Sequence, residues 1–248
     1  MKVVTWNILA SEWIKKSYYP TVKDPSLFKN RIQTILHKIK DMDPDIVCLQ
    51  EVMPHEYTRL CEAFPQYQCS KLTPIQWYNK KSKSGNLTMV KKRFTRWTEH
   101  SFDHGVYVQV DRLHVFNVHL DDVSYTKRLR QLHQLNLSME HVIVAGDFNQ
   151  EYKPTALYQL PGFTVHNKCP TYFVEKKMNI DTILTKGIQT RGLTKQTKLA
   201  SNSGAEPRNA VPRKRSRRTR PSCAYVPDHV EEELDLYGSD HIPVTVVL

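Results

Sequence analysis

The chain has 248 residues, 40% of them hydrophobic, with a formal net charge of +11 at pH 7. That length and apolar content suit one domain with a sizeable core, and no apolar run approaches the roughly 20 residues that span a bilayer. The five cysteines (Cys48, Cys61, Cys69, Cys169 and Cys223) are odd in number and form no CxxC or zinc-type spacing, so reduced thiols are expected and not a disulfide framework.

Met1–Leu9 reads as a strand ending in Trp6 and Asn7, with no secretory leader before it. Glu12–Asn30 is polar and aromatic, with Pro20 and Pro25, and reads as a loop that turns into a helix. There Ile32, Ile35, Leu36 and Ile39 recur at i, i+3, i+4 and i+7, predicting an amphipathic helix with Arg31, Lys38 and Lys40 outward. Asp45–Val52 is a buried strand ending in Gln50 and Glu51, and Pro54 opens a further helix through Phe64. Gln66–Lys83 is weakly patterned and reads as loop with one strand. Gly85–Val90, Gly105–Val110 and Leu113–Leu120 follow as strands, the last two joined by a tight turn at Asp111-Arg112, with Asn117 and His119 on one face.

Ser124–Ser138 reads as a helix with Leu129, Leu132 and Leu135 inward. His141–Asn149 (HVIVAGDFN) is a short β-branched run stopped by glycine, which delivers Asp147 and Asn149 at its end. Pro154–Leu160 reads as a short helix, and Met178–Leu184 as a strand carrying Asp181. Lys186–Tyr237 is nearly free of apolar runs and reads as largely disordered. Ile242–Leu248 is a closing strand, so the segment at about 190–230 is an insertion within one domain, 1–248.

The charge is uneven. Arg208, Arg213, Lys214, Arg215, Arg217, Arg218 and Arg220 lie between Pro207 and Pro221 with no acid, and supply seven of the eleven net positive charges. A polyanionic partner is expected, and the stretch 212–220 also fits a nuclear import signal.

Two halves of the chain echo one another. Trp6-Asn7, a helix with Arg31 and Gln33, then DIVCLQE parallels Asn117–His119, a helix with Arg128 and Gln131, then HVIVAGD. Both read strand, helix, strand with an acid at the end. The expectation is two similar layers packed sheet on sheet, helices outside, with both polar rims at one end.

The rim residues permit specific chemistry. Glu51, Asp147 and Asp240 are hard oxygen ligands suited to magnesium or manganese. His119 and His241 exchange protons near neutral pH, and Asn7 and Asn149 are neutral amides able to hold a metal or a phosphate oxygen. Together they suit metal-assisted attack of water on a phosphate ester. No nucleophile motif, P-loop or dinucleotide-binding glycine pattern is present.

TWNIL, LQEV, NVHL, GDFN, IDTIL and SDHIPV, in this order from Thr5 to Val244, resemble the motifs of the endonuclease/exonuclease/phosphatase superfamily. The resemblance implies a DNase I-like α/β fold, a four-layer αββα sandwich of two mixed sheets between helices. It implies a magnesium- or manganese-dependent phosphodiesterase. Glu51 would hold the metal, with Asn7 and Asp240 beside it. Asp147 and Asn149 would position the attacking water and the phosphate, and His119 would bind the phosphate. His241 would serve in proton transfer or phosphate contact, oriented by Asp181. The motif leaves the general base open between Asp147 and His241. A carboxylate-paired His241 is held as a cation, which favours Asp147.

The opening TWNILA, a long loop, a helix with Arg31 and then DPDIVCLQEV look most like the deadenylase branch. Leu9 stands where the abasic-site endonuclease and tyrosyl-DNA phosphodiesterase branches place an Asp. A nuclease acting on RNA or DNA is expected, leaning to RNA and to 3′-exonuclease, deadenylase-like action. Arg213, Lys214, Arg215, Arg217 and Arg218 are the candidates for gripping its backbone. The alternatives are a phosphatase or phosphodiesterase of inositol or lipid headgroups, and a non-catalytic nucleic-acid-binding relative. A cytoplasmic or nuclear monomer with no integral membrane association is expected.

Overall fold

The computed structural model describes residues 1–77, 80–151, 160–167, 169–172, 174, 178–189 and 230–248. The proposed helix at Pro154–Leu160 and the basic stretch Pro207–Pro221 lie outside them, except for Leu160.

Two six-stranded mixed sheets pack face to face. The first has the order β12 (Val244–Val247), β1 (Lys2–Asn7), β2 (Ile46–Val52), β5 (Lys80–Lys91), β3 (Tyr67–Cys69), with β4 (Thr73–Trp77) also on β5. The second runs β10 (Phe163–Val165), β11 (Asp181–Lys186), β9 (Val142–Asp147), β8 (Leu113–His119), β7 (Gly105–Val110), β6 (Trp97–Phe102). Alternate residues of each strand face the other sheet. Val3, Ile46, Cys48, Val108, Val115, Ile143, Ala145, Ile183 and Val244 thus form one buried layer between the sheets. The outer faces are covered by helices. Val4, Trp6, Val47 and Leu49 pack with Ile32, Ile35 and Ile39 of α1 (Arg31–Met42) and Leu60 of α2 (Pro54–Ala63). Phe116, Val118, Val142 and Val144 pack with Leu132 of α3 (Tyr125–His133).

The internal echo holds in the topology. β1 and β2 are parallel and joined through α1, and β8 and β9 are parallel and joined through α3. Each pair is flanked on both sides by antiparallel strands, β12 and β5 in one sheet and β7 and β11 in the other.

Arg31 does not face outward. It is 4% exposed, and its guanidinium pairs with Glu56 of α2 and donates to the Ile8 carbonyl. The apolar spacing of α1 predicts which face is buried, but not that a cation at its first turn has a carbonyl and a carboxylate to satisfy it. Arg128 of α3 does the matching work in the other half: it donates to the Asp121 carbonyl at 2.8 Å and to Gln150 Oε1 at 2.8 Å.

Other differences have local causes. β6 is an edge strand of mostly polar residues, with no apolar alternation to announce it. Gln66–Lys83 holds two short strands and the start of β5, paired by backbone and not by pattern. α3 stops at His133, short of Ser138. Within the stretch read as disordered, β11 runs to Lys186, and Val230–Tyr237 is a helix, α4. Val230 and Leu234, one turn apart on α4, bury against Leu9 and Tyr19. Cys48, Cys61 and Cys69 are free, but Cys169 is disulfide-bonded, against the expectation of reduced thiols throughout; cysteine spacing does not reveal pairing.

The Arg31–Glu56 pair is testable. Arg31→Met leaves a buried carboxylate without its cation, and urea denaturation should show a loss of about 3–5 kcal/mol. Arg31→Met combined with Glu56→Leu should recover part of that loss; a single-variant loss below about 1 kcal/mol would show the pair to be dispensable.

Candidate active site

Polar residues replace apolar ones where the inward faces of the strands reach one end of the sandwich. In the second sheet, His119, Asp147 and Asp181 are register partners in one row across β8, β9 and β11. Gly146 lets that row form: a Cβ there would lie 1.9 Å from the Val118 carbonyl oxygen, so only glycine allows β9 to lie against β8 just before Asp147. The strand continues through this glycine to Asp147 and does not stop at it. Asn149 follows outside the strand with φ 48°. Its amide Nδ2 donates to the Leu120 carbonyl at 2.9 Å, and its backbone N–H donates to Asp147 Oδ1 at 2.8 Å.

The first sheet supplies Asn7 and Glu51. Val47, Leu49 and Val52 all pack on the helix side, although Leu49 and Val52 are an odd number of residues apart. A bulge between them accounts for the parity, and Glu51 sits in it with φ 61°. The bulge is what turns a strand residue out to the rim. Behind the rim lies a polar layer between the sheets. Gln50 Nε2 donates to Asn117 Oδ1 at 2.7 Å, Asn117 Nδ2 donates to the Leu87 carbonyl at 3.0 Å, and Asn86 Nδ2 donates to the Asn117 carbonyl at 3.0 Å.

Asn7 ties the two sheets together at the rim. Its Oδ1 accepts the Leu9 N–H at 3.0 Å, which leaves both hydrogens of Nδ2 for Glu51 Oε1 at 2.9 Å and Asp147 Oδ2 at 3.1 Å. Glu51 Oε2 also accepts the Ala10 N–H at 2.8 Å. Asp240 and His241 arrive on the turn before β12. Ser239 Oγ donates to the Asn7 carbonyl at 2.8 Å, and Trp6 Nε1 donates to the His241 carbonyl at 2.9 Å. The His241 ring meets Asp181 Oδ2 through Nδ1 at 2.8 Å, and its Nε2 lies 4.0 Å from both Asp147 Oδ2 and Asp240 Oδ1. His119 Nε2 lies 3.7 Å from Asp147 Oδ2.

Asn7, Glu51, His119, Asp147, Asn149, Asp240 and His241 share one cavity of about 380 Å³, while Asp181 is fully buried behind His241. The structure therefore brings together all eight rim residues read from the sequence. Arg213, Lys214, Arg215, Arg217 and Arg218 lie outside the described residues. Sequence reasoning missed Tyr19, whose hydroxyl donates to Asp240 Oδ2 at 2.9 Å, and Tyr172, whose ring centroid is 5.0 Å from that of His241. It also missed Thr171, whose Oγ1 accepts the Asp181 N–H at 3.1 Å. The aromatic content of Glu12–Asn30 was the available signal for the first; nothing marks the other two.

Burial governs the titration. It pushes the Glu51 carboxyl up, against the pull of His119 and the hydrogen bonds from Ala10 and Asn7. Burial and then the charge of Asp181 push Asp147 up to about 7. Burial holds the His119 ring below its usual value. His241 goes the other way: burial opposes its cation, but the charge and hydrogen bond of Asp181, with Asp240 and Asp147, outweigh it and hold the ring well above 6.5. Ligand atoms of Asp147, Asp181 and His241 lie within 4.8 Å of one another, a group that could hold a divalent ion.

A family model described as endonuclease/exonuclease/phosphatase matches residues 4–241. The chain belongs to the endonuclease/exonuclease/phosphatase family. No curated protein matches it in sequence. Among solved structures, the chain is similar to ANGEL2, a 2′,3′-cyclic phosphatase, in complex with adenosine-2′,3′-vanadate, at TM-score 0.64 and 15% identity, covering 99% of this chain and 94% of that one. It is similar to a humanized TDP2 of D. rerio at TM-score 0.59 and 17% identity, covering 99% and 97%. It is also similar to a mannosyl-6-phosphatase of Bacteroides thetaiotaomicron at TM-score 0.55 and 14% identity, covering 99% and 98%. These likenesses carry the fold of the endonuclease/exonuclease/phosphatase family, two mixed sheets with flanking helices, and do not resolve a branch.

The His241–Asp181 pair makes a prediction for metal-free protein. Asp181→Asn removes the largest influence that favours the cation and leaves only Asp240 and Asp147 to oppose burial, so the His241 pKa read by NMR should fall. In the unaltered protein the raised value stabilises the fold fully below the unfolded-state pKa of about 6.5, and this contribution fades as pH rises through the folded value. A His241 pKa unchanged by Asp181→Asn would show that Asp181 is not the cause.

Proposed function

We propose that the chain is a magnesium- or manganese-dependent phosphodiester hydrolase acting on nucleic acid, with RNA favoured over DNA. One observation carries the hydrolase reading: Glu51, Asp147 and Asp240 converge on one cavity, and Asp240 Oδ1 is buried with no hydrogen-bond partner among the described residues. Leaving such an oxygen unpaired is costly, and a hard divalent cation fits it and the oxygen-rich donor set. Asp181 Oδ2 and His241 Nδ1 are hydrogen-bonded to each other behind the rim, and the ion is assigned to Glu51 and Asp240. Asn7, expected from the sequence to stand with them, turns its Oδ1 to the Leu9 N–H and only N–H groups to the acids, so it holds Glu51 in place and does not ligate the ion. When bound, the ion would polarise a phosphate oxygen and favour attack by water.

The chain's own groups do the rest. Asp147, poised at about 7, takes the proton from the attacking water at a carboxylate oxygen. Asn7 and the Asn149 N–H hold that carboxylate in place. His241, kept cationic by Asp181, presents Nε2 to a phosphate oxygen and offsets charge that grows during the reaction. Neutral His119 donates to the same phosphate.

The cavity lining favours nucleic acid over inositol phosphates or lipid headgroups. Among the described residues it includes four carboxylates (Glu51, Asp122, Asp147 and Asp240) and neither lysine nor arginine. Multiply phosphorylated headgroups need such cations, whereas one backbone phosphate with a metal does not. The similar ANGEL2 structure, a 2′,3′-cyclic phosphatase, holds a nucleoside ligand, adenosine-2′,3′-vanadate, and the opening motifs look most like the deadenylase branch. The basic stretch around Arg213–Arg218 is assigned to sequence-blind contact with the backbone.

Purified protein with magnesium, against RNA, single- and double-stranded DNA and an inositol phosphate, each with and without EDTA, tests this reading. Metal-dependent cleavage of RNA is expected, with Asp147→Asn lowering its rate by about 10²–10⁴-fold and Glu51→Gln abolishing the response to magnesium. Turnover of the inositol phosphate alone, or metal-dependent turnover retained by Glu51→Gln, overturns it. Removing 207–221 should weaken RNA binding and flatten its dependence on salt, with the slope falling by about 0.7 for each single-strand phosphate that the stretch neutralises. An unchanged slope leaves the stretch with the import-signal reading alone.

A further inference from the structure

The catalytic rim fills only part of the cavity. Besides Asp122, two other stretches line it: one including Leu9, Trp13, Tyr18 and Tyr19 from the connection between β1 and α1, and a group including Tyr172 and Ile180 after β10. Both are largely apolar or aromatic. Tyr19 is bonded to Asp240 and Tyr172 packs on the His241 ring, whereas Trp13 and Tyr18 have no part in the reaction described above and offer a surface for another part of the substrate.

The β1–α1 connection is fixed at both ends of its aromatic stretch. The Ala10 N–H donates to Glu51 Oε2 at 2.8 Å, and the Ile8 N–H donates to the Gln50 carbonyl at 3.0 Å. At the other end, the Tyr19 hydroxyl donates to Asp240 Oδ2 at 2.9 Å, and its ring packs edge-on against Phe28 with centroids 5.3 Å apart. Between these tethers the chain makes a short 3-10 turn at Ser11–Trp13, and Glu12 Oε1 accepts the Ser84 N–H of β5 at 3.2 Å. Trp13 and Tyr18 are thus held at the cavity by residues that themselves touch Glu51 and Asp240. Tyr18 is nonetheless 49% exposed, an open ring face on a restrained loop. Lys15 Nζ lies 5.8 Å from the Trp13 ring and 5.4 Å from the Tyr18 ring, so one exposed cation joins both faces.

We propose that Trp13 and Tyr18 form a stacking platform for an unpaired nucleobase of a single-stranded nucleic acid, with Lys15 beside them for its phosphate. Flat apolar faces next to a phosphate-processing rim match a base and its own phosphate, and a ring face accepts any base. A base inside a duplex has no free face, so single strands are favoured over duplexes. The absence of lysine and arginine from the described lining argues against a polyanionic headgroup in the same space. This inference rests on the hydrolase reading for the identity of the rim but concerns binding, and the two can fail separately.

Binding is read by fluorescence anisotropy with labelled single-stranded RNA, single-stranded DNA, the matching duplex and a strand of abasic sugar-phosphate. The Asp147→Asn protein is used in magnesium so that the probe persists. Wild-type hydrolysis of the RNA, with and without EDTA, is followed in parallel. The base-bearing single strands should bind more tightly than the duplex and the abasic strand. Trp13→Ala and Tyr18→Ala, each added to Asp147→Asn, should weaken single-strand binding by about 5- to 150-fold, the equivalent of ~1–3 kcal/mol of stacking, with little effect on the abasic strand. Trp13→Phe and Tyr18→Phe keep a ring and should bind within about twofold of the parent, which separates stacking from a fold defect. Equal affinity for base-bearing and abasic strands, or alanine variants that bind like the parent, overturns the platform whatever the hydrolysis shows. Platform-dependent binding without any metal-dependent hydrolysis supports it and overturns the hydrolase reading instead.

Discussion

One carboxamide holds the two halves of this site together. Asn7 is on the first sheet, Asp147 on the second, and Glu51 on a bulge of the first, and a single Nδ2 donates to both acids. Two carboxylates brought this close in a buried site repel, and neither has a lysine or arginine among the described residues lining the cavity. A neutral amide with two hydrogens is a suitable tie: it satisfies an oxygen on each and adds no charge to compete with a cation. The Leu9 N–H fixes which end of the amide faces the acids, so the left-handed turn at Leu9 (φ 58°) is part of the same arrangement.

The paired arginines show how the halves of the fold keep their loops in place. Arg31 and Arg128 sit in the first turns of the two crossover helices and reach the carbonyl just beyond the preceding strand, Ile8 in one half and Asp121 in the other. Each then reaches a residue beyond the following strand, Glu56 or Gln150. A helix that bridges two parallel strands begins near the loops that follow both of them, and a guanidinium has enough donors to serve both at once. The halves differ in the partner's charge. Glu56 neutralises Arg31 deep in the structure, whereas Arg128 has the neutral Gln150 and, nearby, the buried acid Asp121.

The rim was legible in the sequence because strands report their ends. An apolar run of β-branched residues that closes on Asn, Glu, His or Asp leaves a polar side chain at a sheet edge: β1, β8 and β9 close so, β2 carries Glu51 next to its end, and β11, antiparallel to β9, opens on Asp181. The parallel echo of strand, helix and strand was legible for the same reason. Other features depend on contacts between distant segments. Arg31 reads as solvent-facing until Glu56 and Ile8 are known to meet it. Tyr19 is one aromatic among several until its hydroxyl is seen on Asp240, more than two hundred residues away. β6 carries no apolar alternation because an edge strand with exposed residues has no reason to. The helix Val230–Tyr237 was hidden by the polar stretch before it, although Val230 and Leu234 are a correctly spaced pair.

The row of His119, Asp147 and Asp181 has a further meaning for how this site tolerates change. Hydrogen-bonded neighbours on a sheet are held about 4.8 Å apart by the backbone, so the spacing of these three groups is a property of the ladder and not of their side chains. A loop-borne site can absorb a longer or shorter residue by shifting its main chain. Here the main chain of β9 is pinned between β8 and β11 and, at Gly146, has no room for even a Cβ. An Asp147→Glu exchange would therefore keep the charge yet push the carboxylate past its neighbours by a full methylene. The sheet acts as a ruler with fixed divisions, and the rim accepts variation in what surrounds it far more readily than in its own reach.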